Sequence, residues 1–324
     1  MNLIKHNYKF AIFGSNGMVG SSICRSLKKN GYNNILSPIR KELNLLNSRD
    51  VDKWFHINNP DIVILCAAKV GGILANDKYP ADFLLENLKI QTNVIEASWK
   101  AEVKKFLFLG SSCIYPKFAR QPIIEEELLS GILEKTNQWY AIAKIAGIKL
   151  CESLNKQYNF NSICLMPTNL YGPGDNYHPT NSHVLASLIR RFYKAKIENK
   201  KEVICWGTGL PLREFLHVDD LGEASIFALE NWDYNNQFSP KDLNGNLLNF
   251  LNVGTGKDIS IKQLAEKIAD LIGFRGEITW DLSKPDGTPK KQLDISRLTK
   301  MGWCSKISLS EGLKTTIENY KRIY

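Results

Sequence analysis

A doubly wound parallel α/β sheet joined to a smaller mixed α/β domain is the fold class this sequence predicts, and three observations carry it. Strand-length and helix-length segments alternate through the first half of the chain. The strand-length segments are continuously apolar, which suits strands buried on both faces of a parallel sheet. The first of them runs into a glycine loop that opens a helix.

Taken in order, Tyr8–Phe13 is the β-rich run that ends in the glycine loop, and Met18–Lys29 follows with helical character. Asp61–Ala67, Lys105–Leu109 and Ser162–Met166 are three further apolar runs of strand length, each bounded by turn signals. The segments around Asn87–Lys100 and Trp139–Tyr158 have helical length and spacing. After Tyr171-Gly-Pro-Gly-Asp175 the texture changes. A polar loop precedes a helix-like stretch, Val184–Ala195, and Asn231–Asn246, rich in Asn and Asp, predicts a surface excursion. Ser260–Ile272 combines a Ser start, apolar periodicity and a Gly273 stop, which read as a helix. The expected division is a nucleotide-binding domain over residues 1–173, with 214–254 returning to it, and a substrate domain from 174–213 and 255–324.

Composition narrows the function classes. Of 324 residues, 44% are hydrophobic and 23% charged, which is ordinary globular usage. The net charge is +9, yet the cations are scattered in single residues and short pairs, which argues against a nucleic-acid partner. The seven cysteines form no C-x-x-C pair, so neither a zinc ribbon nor a dithiol redox site is indicated, and a reducing cytoplasm is expected. The apolar run Phe10–Phe13 is too short for a signal segment or a membrane span. No metal site is expected.

Gly14-Ser15-Asn16-Gly17-Met18-Val19-Gly20 is G-x-x-G-x-x-G between the first strand and the first helix. Its glycines allow a tight turn and close backbone approach to a pyrophosphate. The helix N-terminus offers free N–H groups to that anion. Met18 and Val19 read as helix packing within this cofactor loop. After the second strand, where an acidic residue would hold the ribose hydroxyls of NAD, stand Arg40 and Lys41, which suit the 2′-phosphate of NADP(H).

Tyr140 and Lys144 form Y-x-x-x-K, four apart on one helix face. A phenol near its ordinary pKa of about 10 transfers protons poorly at neutral pH, and a neighbouring ammonium is expected to lower it. Ser111 and Ser112 end the preceding strand, where a hydroxyl can hold a substrate carbonyl beside the tyrosine.

These motifs, with Asn169-x-Tyr171-Gly172-Pro173 and Arg213-Glu-Phe-Leu-His-Val-Asp-Asp220, resemble the extended short-chain dehydrogenase/reductases of Rossmann fold. More narrowly, Ala67-Ala-Lys-Val-Gly-Gly-Ile73, Gly110-Ser-Ser-Cys-Ile-Tyr-Pro116, Tyr140-Ala-Ile-Ala-Lys-Ile-Ala-Gly147, Met166–Pro173, Asn181-Ser-His183 and Lys284–Pro289 are similar to the GDP-L-fucose synthases. The resemblance covers nearly the whole chain. It implies a NADPH-dependent enzyme that takes GDP-4-keto-6-deoxy-D-mannose to GDP-L-fucose, by epimerisation at C3 and C5 and reduction of the C4 ketone. It implies that Cys113 and His183 exchange protons at carbon. Thiol and imidazole titrate near working pH, which suits that task. It further implies that Leu109, Gly110, Ser111, Ser112, Pro167, Thr168, Asn169, Leu170 and His183, with Tyr140 and Lys144, line the cofactor site. Arg191, Trp206, Arg213 and Asp286 would contact the GDP-sugar, arginines suiting a diphosphate and Trp206 a guanine face. A homodimer through the two long helices is also implied. The chain carries Asn16 where many bacterial relatives have Arg and Asn47 where they have Asp, which leaves Arg40 as the main 2′-phosphate partner. Two alternatives keep the fold: another nucleotide-sugar epimerase or reductase, and a catalytically silent NADP-binding regulator.

Overall fold

A computed structural model describes residues 3–284 and 286–323; Pro285, within the Lys284–Pro289 run, lies outside the described residues. The first half is built from β1 (Phe10–Phe13), α1 (Met18–Lys29), β2 (Ile35–Leu36), α2 (Ser48–Asn58), β3 (Ile62–Leu65), α3 (Ile73–Lys78), α4 (Pro80–Lys100), β4 (Lys105–Leu109), α5 (Gln138–Tyr158) and β5 (Ser162–Pro167). The second half adds β6 (Asn169–Tyr171), α6 (Val184–Ile197), β7 (Glu202–Trp206), β8 (Leu212–His217), α7 (Val218–Asn231) and β9 (Phe250–Val253). It ends with β10 (Asp258–Ser260), α8 (Ile261–Ile272), β11 (Glu277–Asp281), β12 (Lys290–Lys291), α9 (Ser296–Lys300) and α10 (Leu309–Ile323).

Six strands form one parallel sheet in the order β2-β1-β3-β4-β5-β9. Every residue of β1, β3, β4, β5 and β9 is buried, because helices cover both faces. On one face Val51, Phe55, Val94, Ile95 and Ile148 of α2, α4 and α5 pack on the sheet. On the other, Ile23 and Leu27 of α1 meet Leu221 and Leu229 of α7. The chain order reverses between β1 and β3, so the crevice in which ligands of such sheets bind lies at their carboxyl ends.

A second sheet centres on β8, which pairs with β6 and β12 in parallel and with β10 antiparallel; β7 and β11 make a separate parallel pair. Its core lies among α6, α8 and α10, with Leu185, Ile189, Leu264, Ile268, Leu313 and Ile317 buried. The passage between the sheets is short. β5 ends at Pro167 and β6 begins at Asn169. The Thr168 hydroxyl and the Asn169 amide both donate to the Glu214 carbonyl, at 3.2 and 2.8 Å.

The local signals act as expected at α8. Ser260 and Gln263 complete a reciprocal cap, and Gly273 ends the helix with a left-handed φ of 79°. The long helix expected near Asn87 starts earlier, because Pro80 occupies its first turn. The Asn231–Asn246 region runs past the end of α7 into irregular chain. There Asp233 accepts from the Asn235 amide and Asp242 from those of Asn244 and Asn246, so side chains take the place of a ladder.

Candidate active site

The glycine loop is shaped by close approach. Gly14 holds a φ of +92°, and a Cβ there would lie 2.7 Å from the Ala67 backbone nitrogen. A Cβ on Gly20 would lie 2.1 Å from the Gly14 carbonyl oxygen, so only glycine lets α1 start this close to the turn. Gly17 caps α1 with no side-chain hydrogen bond and no acidic residue follows in the first turn. The first N–H groups therefore face an anion unopposed, and the cradle fits a dinucleotide pyrophosphate. Ser15 is buried, Asn16 exposed, and Val19 packs against the sheet. Arg40 stands exposed four residues beyond β2. Asn47 caps α2, its side chain accepting from the Arg49 and Asp50 amides.

β4 delivers Leu109 and Gly110 to the crevice floor, where a Cβ on Gly110 would meet Met166 at 2.3 Å. Ser111 then caps a single 3-10 turn, Ser112–Ile114, its hydroxyl accepting from the Cys113 amide at 3.3 Å. That turn presents Cys113 toward α5. Tyr140 and Lys144 lie on α5 as the spacing requires, but not as partners. The Lys144 ammonium is buried and donates to the Leu109 carbonyl at 2.7 Å, lying 4.6 Å over the Phe108 ring and 5.8 Å from the centre of the Tyr140 ring. Burial lowers its pKa to about 8. Burial, with Cys113 nearby, pushes the Tyr140 phenol upward. The expected lowering of Tyr140 by Lys144 is thus absent, because desolvation dominates and the ammonium is turned to a carbonyl.

Cys113 gathers groups that the sequence did not mark. The Asn137 amide donates to its Sγ at 3.5 Å and the Lys291 ammonium at 3.8 Å. His183 caps α6 without bonding to it, so its imidazole is left for other partners. It keeps much of its surface open, yet the surrounding walls desolvate the ring enough, with Lys291 beside it, to hold its pKa below the usual value. Lys291 therefore contacts Cys113 and acts electrostatically on His183. It stands on β12, in register with Arg213 on β8. Lys291 is 178 residues from Cys113, and only its place after Asp286-Gly-Thr-Pro289 could have pointed to it.

The candidate substrate residues spread along this wall. Arg213 is partly buried, with Asp286 and Glu134 as charged neighbours. Asp286 commits both carboxylate oxygens to Thr208, accepting from its amide and its hydroxyl at 2.7 Å each. It therefore fixes the turn after Trp206. Trp206 is half exposed, with the Lys284 ammonium 5.8 Å from its ring. Arg191 on α6 is a charged neighbour of Cys205. Pro167 ends β5, Thr168 makes the passage between the sheets, and Asn169 and Leu170 begin β6. Among the described residues no group of acidic, His or Cys side chains could hold a metal ion, and no helix is long and apolar enough to cross a membrane.

Residues 10–244 match the NAD dependent epimerase/dehydratase family. The sequence is 52% identical to a probable GDP-L-fucose synthase 1 of Oryza sativa subsp. japonica, over 97% of this chain and 91% of that protein. It is 52% identical to the GDP-L-fucose synthase of Escherichia coli K12, over 95% of this chain and 94% of that one. Its fold is similar to that of MlghC, a GDP-mannoheptose C4 reductase from Campylobacter jejuni with NADP bound, at a TM-score of 0.89 and 38% identity, covering 98% of this chain and 99% of the other. A glycine loop shaped for a pyrophosphate, with Tyr140 and Lys144 on one helix, agrees with that kinship: the chain belongs to the NAD dependent epimerase/dehydratase family, among its GDP-L-fucose synthases.

Proposed function

We propose that this chain converts GDP-4-keto-6-deoxy-D-mannose to GDP-L-fucose with NADPH, inverting C3 and C5 before reducing C4. The observation that carries the reading is that Cys113, held by Asn137 and Lys291, lies close enough to Tyr140 to add to burial in raising its pKa, and that Lys291 also acts electrostatically on His183.

The C4 ketone acidifies the protons on C3 and C5. One group removes such a proton, the electron pair moves to the C4 oxygen as an enolate, and a second group returns a proton to the opposite face. Cys113 and His183 are these two groups, and the Ser111 hydroxyl holds the oxygen. The glycine loop and Arg40 hold the cofactor, which when bound supplies a hydride for C4. Tyr140 then gives its phenolic proton to the C4 oxygen. Its raised pKa keeps that proton in place until the oxygen becomes basic. Arg191 and Arg213 suit the diphosphate and Trp206 the guanine.

Arg40 supports NADPH over NADH, since an exposed guanidinium after β2 suits a 2′-phosphate. The reading includes a homodimer through α4 and α5, whose Leu85, Trp139, Ile142 and Tyr158 are exposed apolar groups. It includes a cytoplasmic setting, which seven free cysteines suit. It also divides the chain at residue 173, with 214–254 assigned to the cofactor domain.

The test is incubation with GDP-4-keto-6-deoxy-D-mannose and NADPH in D₂O, with the product read by NMR. GDP-L-fucose deuterated at C3 and C5 is expected. A reduced sugar with no deuterium at either carbon identifies a simple C4 reductase instead.

A further inference from the structure

We infer that Gly72, seated by Asn76, is a positioning residue for His183, so that the loop after β3 serves the epimerisation step. This rests on the proton-transfer role proposed for His183.

The loop from Cys66 to Gly72 runs between two parts of the crevice. Its start packs on the glycine loop, where Ala67 limits Gly14. Its end meets the segment that carries His183: the Gly72 amide donates to the Asn181 carbonyl at 3.1 Å. A Cβ on Gly72 would lie 2.8 Å from the Ser182 carbonyl oxygen. No other residue type allows this approach without moving Ser182, which directly precedes His183.

The loop is itself held firmly. The Lys69 amide donates to the Asn87 side chain at 2.9 Å, and the Asn87 amide group donates back to the Lys69 carbonyl at 3.0 Å. Both asparagines are buried. The Asn76 amide group donates to the Gly71 and Gly72 carbonyls, at 2.8 and 3.1 Å. The Gly72 N–H is thereby aimed at residue 181 from a fixed base.

On the other side His183 is fixed by α6, where the Ser187 amide donates to its carbonyl at 2.9 Å. Its ring makes no capping bond. The backbone of His183 is thus held on both flanks while the imidazole is left to the substrate. Proton transfer to carbon needs such placement, and a shift of about 1 Å can cost roughly a hundredfold in rate.

Two rates separate positioning from general structure. Deuterium exchange into GDP-4-keto-6-deoxy-D-mannose in D₂O with NADP⁺ reports the proton transfers. Hydride transfer from GDP-L-fucose to NADP⁺, followed by NADPH absorbance, needs no epimerisation. In Gly72→Ala the exchange is expected to fall about 10- to 100-fold while hydride transfer stays near wild type. Adding Gly72→Ala to His183→Gln should cost no further exchange. Asn76→Ser loosens the same loop without adding an atom, carries the same expectation, and serves where Gly72→Ala yields no folded protein. Equal loss of both rates, unchanged exchange, or further loss in the double variant overturns the role of Gly72. Wild-type protein that exchanges no deuterium overturns the epimerase reading itself.

Discussion

The two ends of the crevice differ in their contact with water. At the reduction end, Lys144 is buried, bonded to the Leu109 carbonyl and laid over Phe108, and Tyr140 holds its proton more tightly than a free phenol. At the end proposed for proton exchange, His183 keeps an exposed edge although its ring is desolvated, and Cys113 is partly open with Asn137 and Lys291 as polar neighbours. Each environment suits the step proposed for it. Hydride transfer gains from a dry site whose acid releases its proton only to a charged oxygen. Inversion at carbon requires groups that change protonation state readily and can reload from solvent.

The largest expected effect breaks the comparison at the reduction end. Tyr140→Phe should lower reduction by about two to four orders of magnitude, the usual range for a general acid. Deuterium exchange at C3 and C5 should continue and cofactor should still bind. Reduction at a wild-type rate would remove Tyr140 from the mechanism.

Cys113→Ser acts at the other end and should suppress labelling by about two orders of magnitude, since a hydroxyl is a far poorer proton exchanger than a thiol of pKa about 8.5. Residual reduction should then give an unepimerised 6-deoxyhexose. Fully labelled GDP-L-fucose at the normal rate would make Cys113 structural. Smaller still is Arg40→Ala, expected to raise KM for NADPH relative to NADH by about tenfold, the low end for a charge-assisted hydrogen bond because the side chain is exposed. Equal changes for both cofactors would leave Arg40 a surface charge.

Lys291→Met sharpens the comparison most finely. Desolvation first, and Lys291 second, hold the His183 pKa down, so the ring is neutral, and able to accept a proton, to lower pH than a free histidine. Without the ammonium that pKa rises, and the acid limb of the exchange profile should move to higher pH. The reduction profile should not follow. An unmoved exchange limb would show that Lys291 does not act on His183.

The sequence revealed most where function depends on neighbours in the chain. Gly14, Gly17 and Gly20 share one turn, Tyr140 and Lys144 share one helix face, and Ser260 with Gly273 bounds one helix. Strands buried on both faces were legible from unbroken apolar runs. The second sheet was not, because β6, β10 and β12 have two or three residues each, too few for any period to show. Lys291 and Asn137 escaped for a different reason. A lysine in a polar run and an asparagine before a helix carry no local mark of their task, and both gain it only by meeting Cys113 across the fold. The bond from Lys144 to the Leu109 carbonyl was likewise invisible, since it depends on a strand 35 residues away.

Thr168 alone separates the last strand before the crossover from the first strand beyond it, and its amide is tied to the Val253 carbonyl at 3.0 Å. Its hydroxyl and the Asn169 side chain are tied to Glu214. A joint of one residue, pinned to both sheets, leaves no slack for the two halves to swing apart there. For the reaction proposed above, such a joint holds the residues of the two sheets in one alignment, so that proton exchange and hydride transfer act on a single bound sugar.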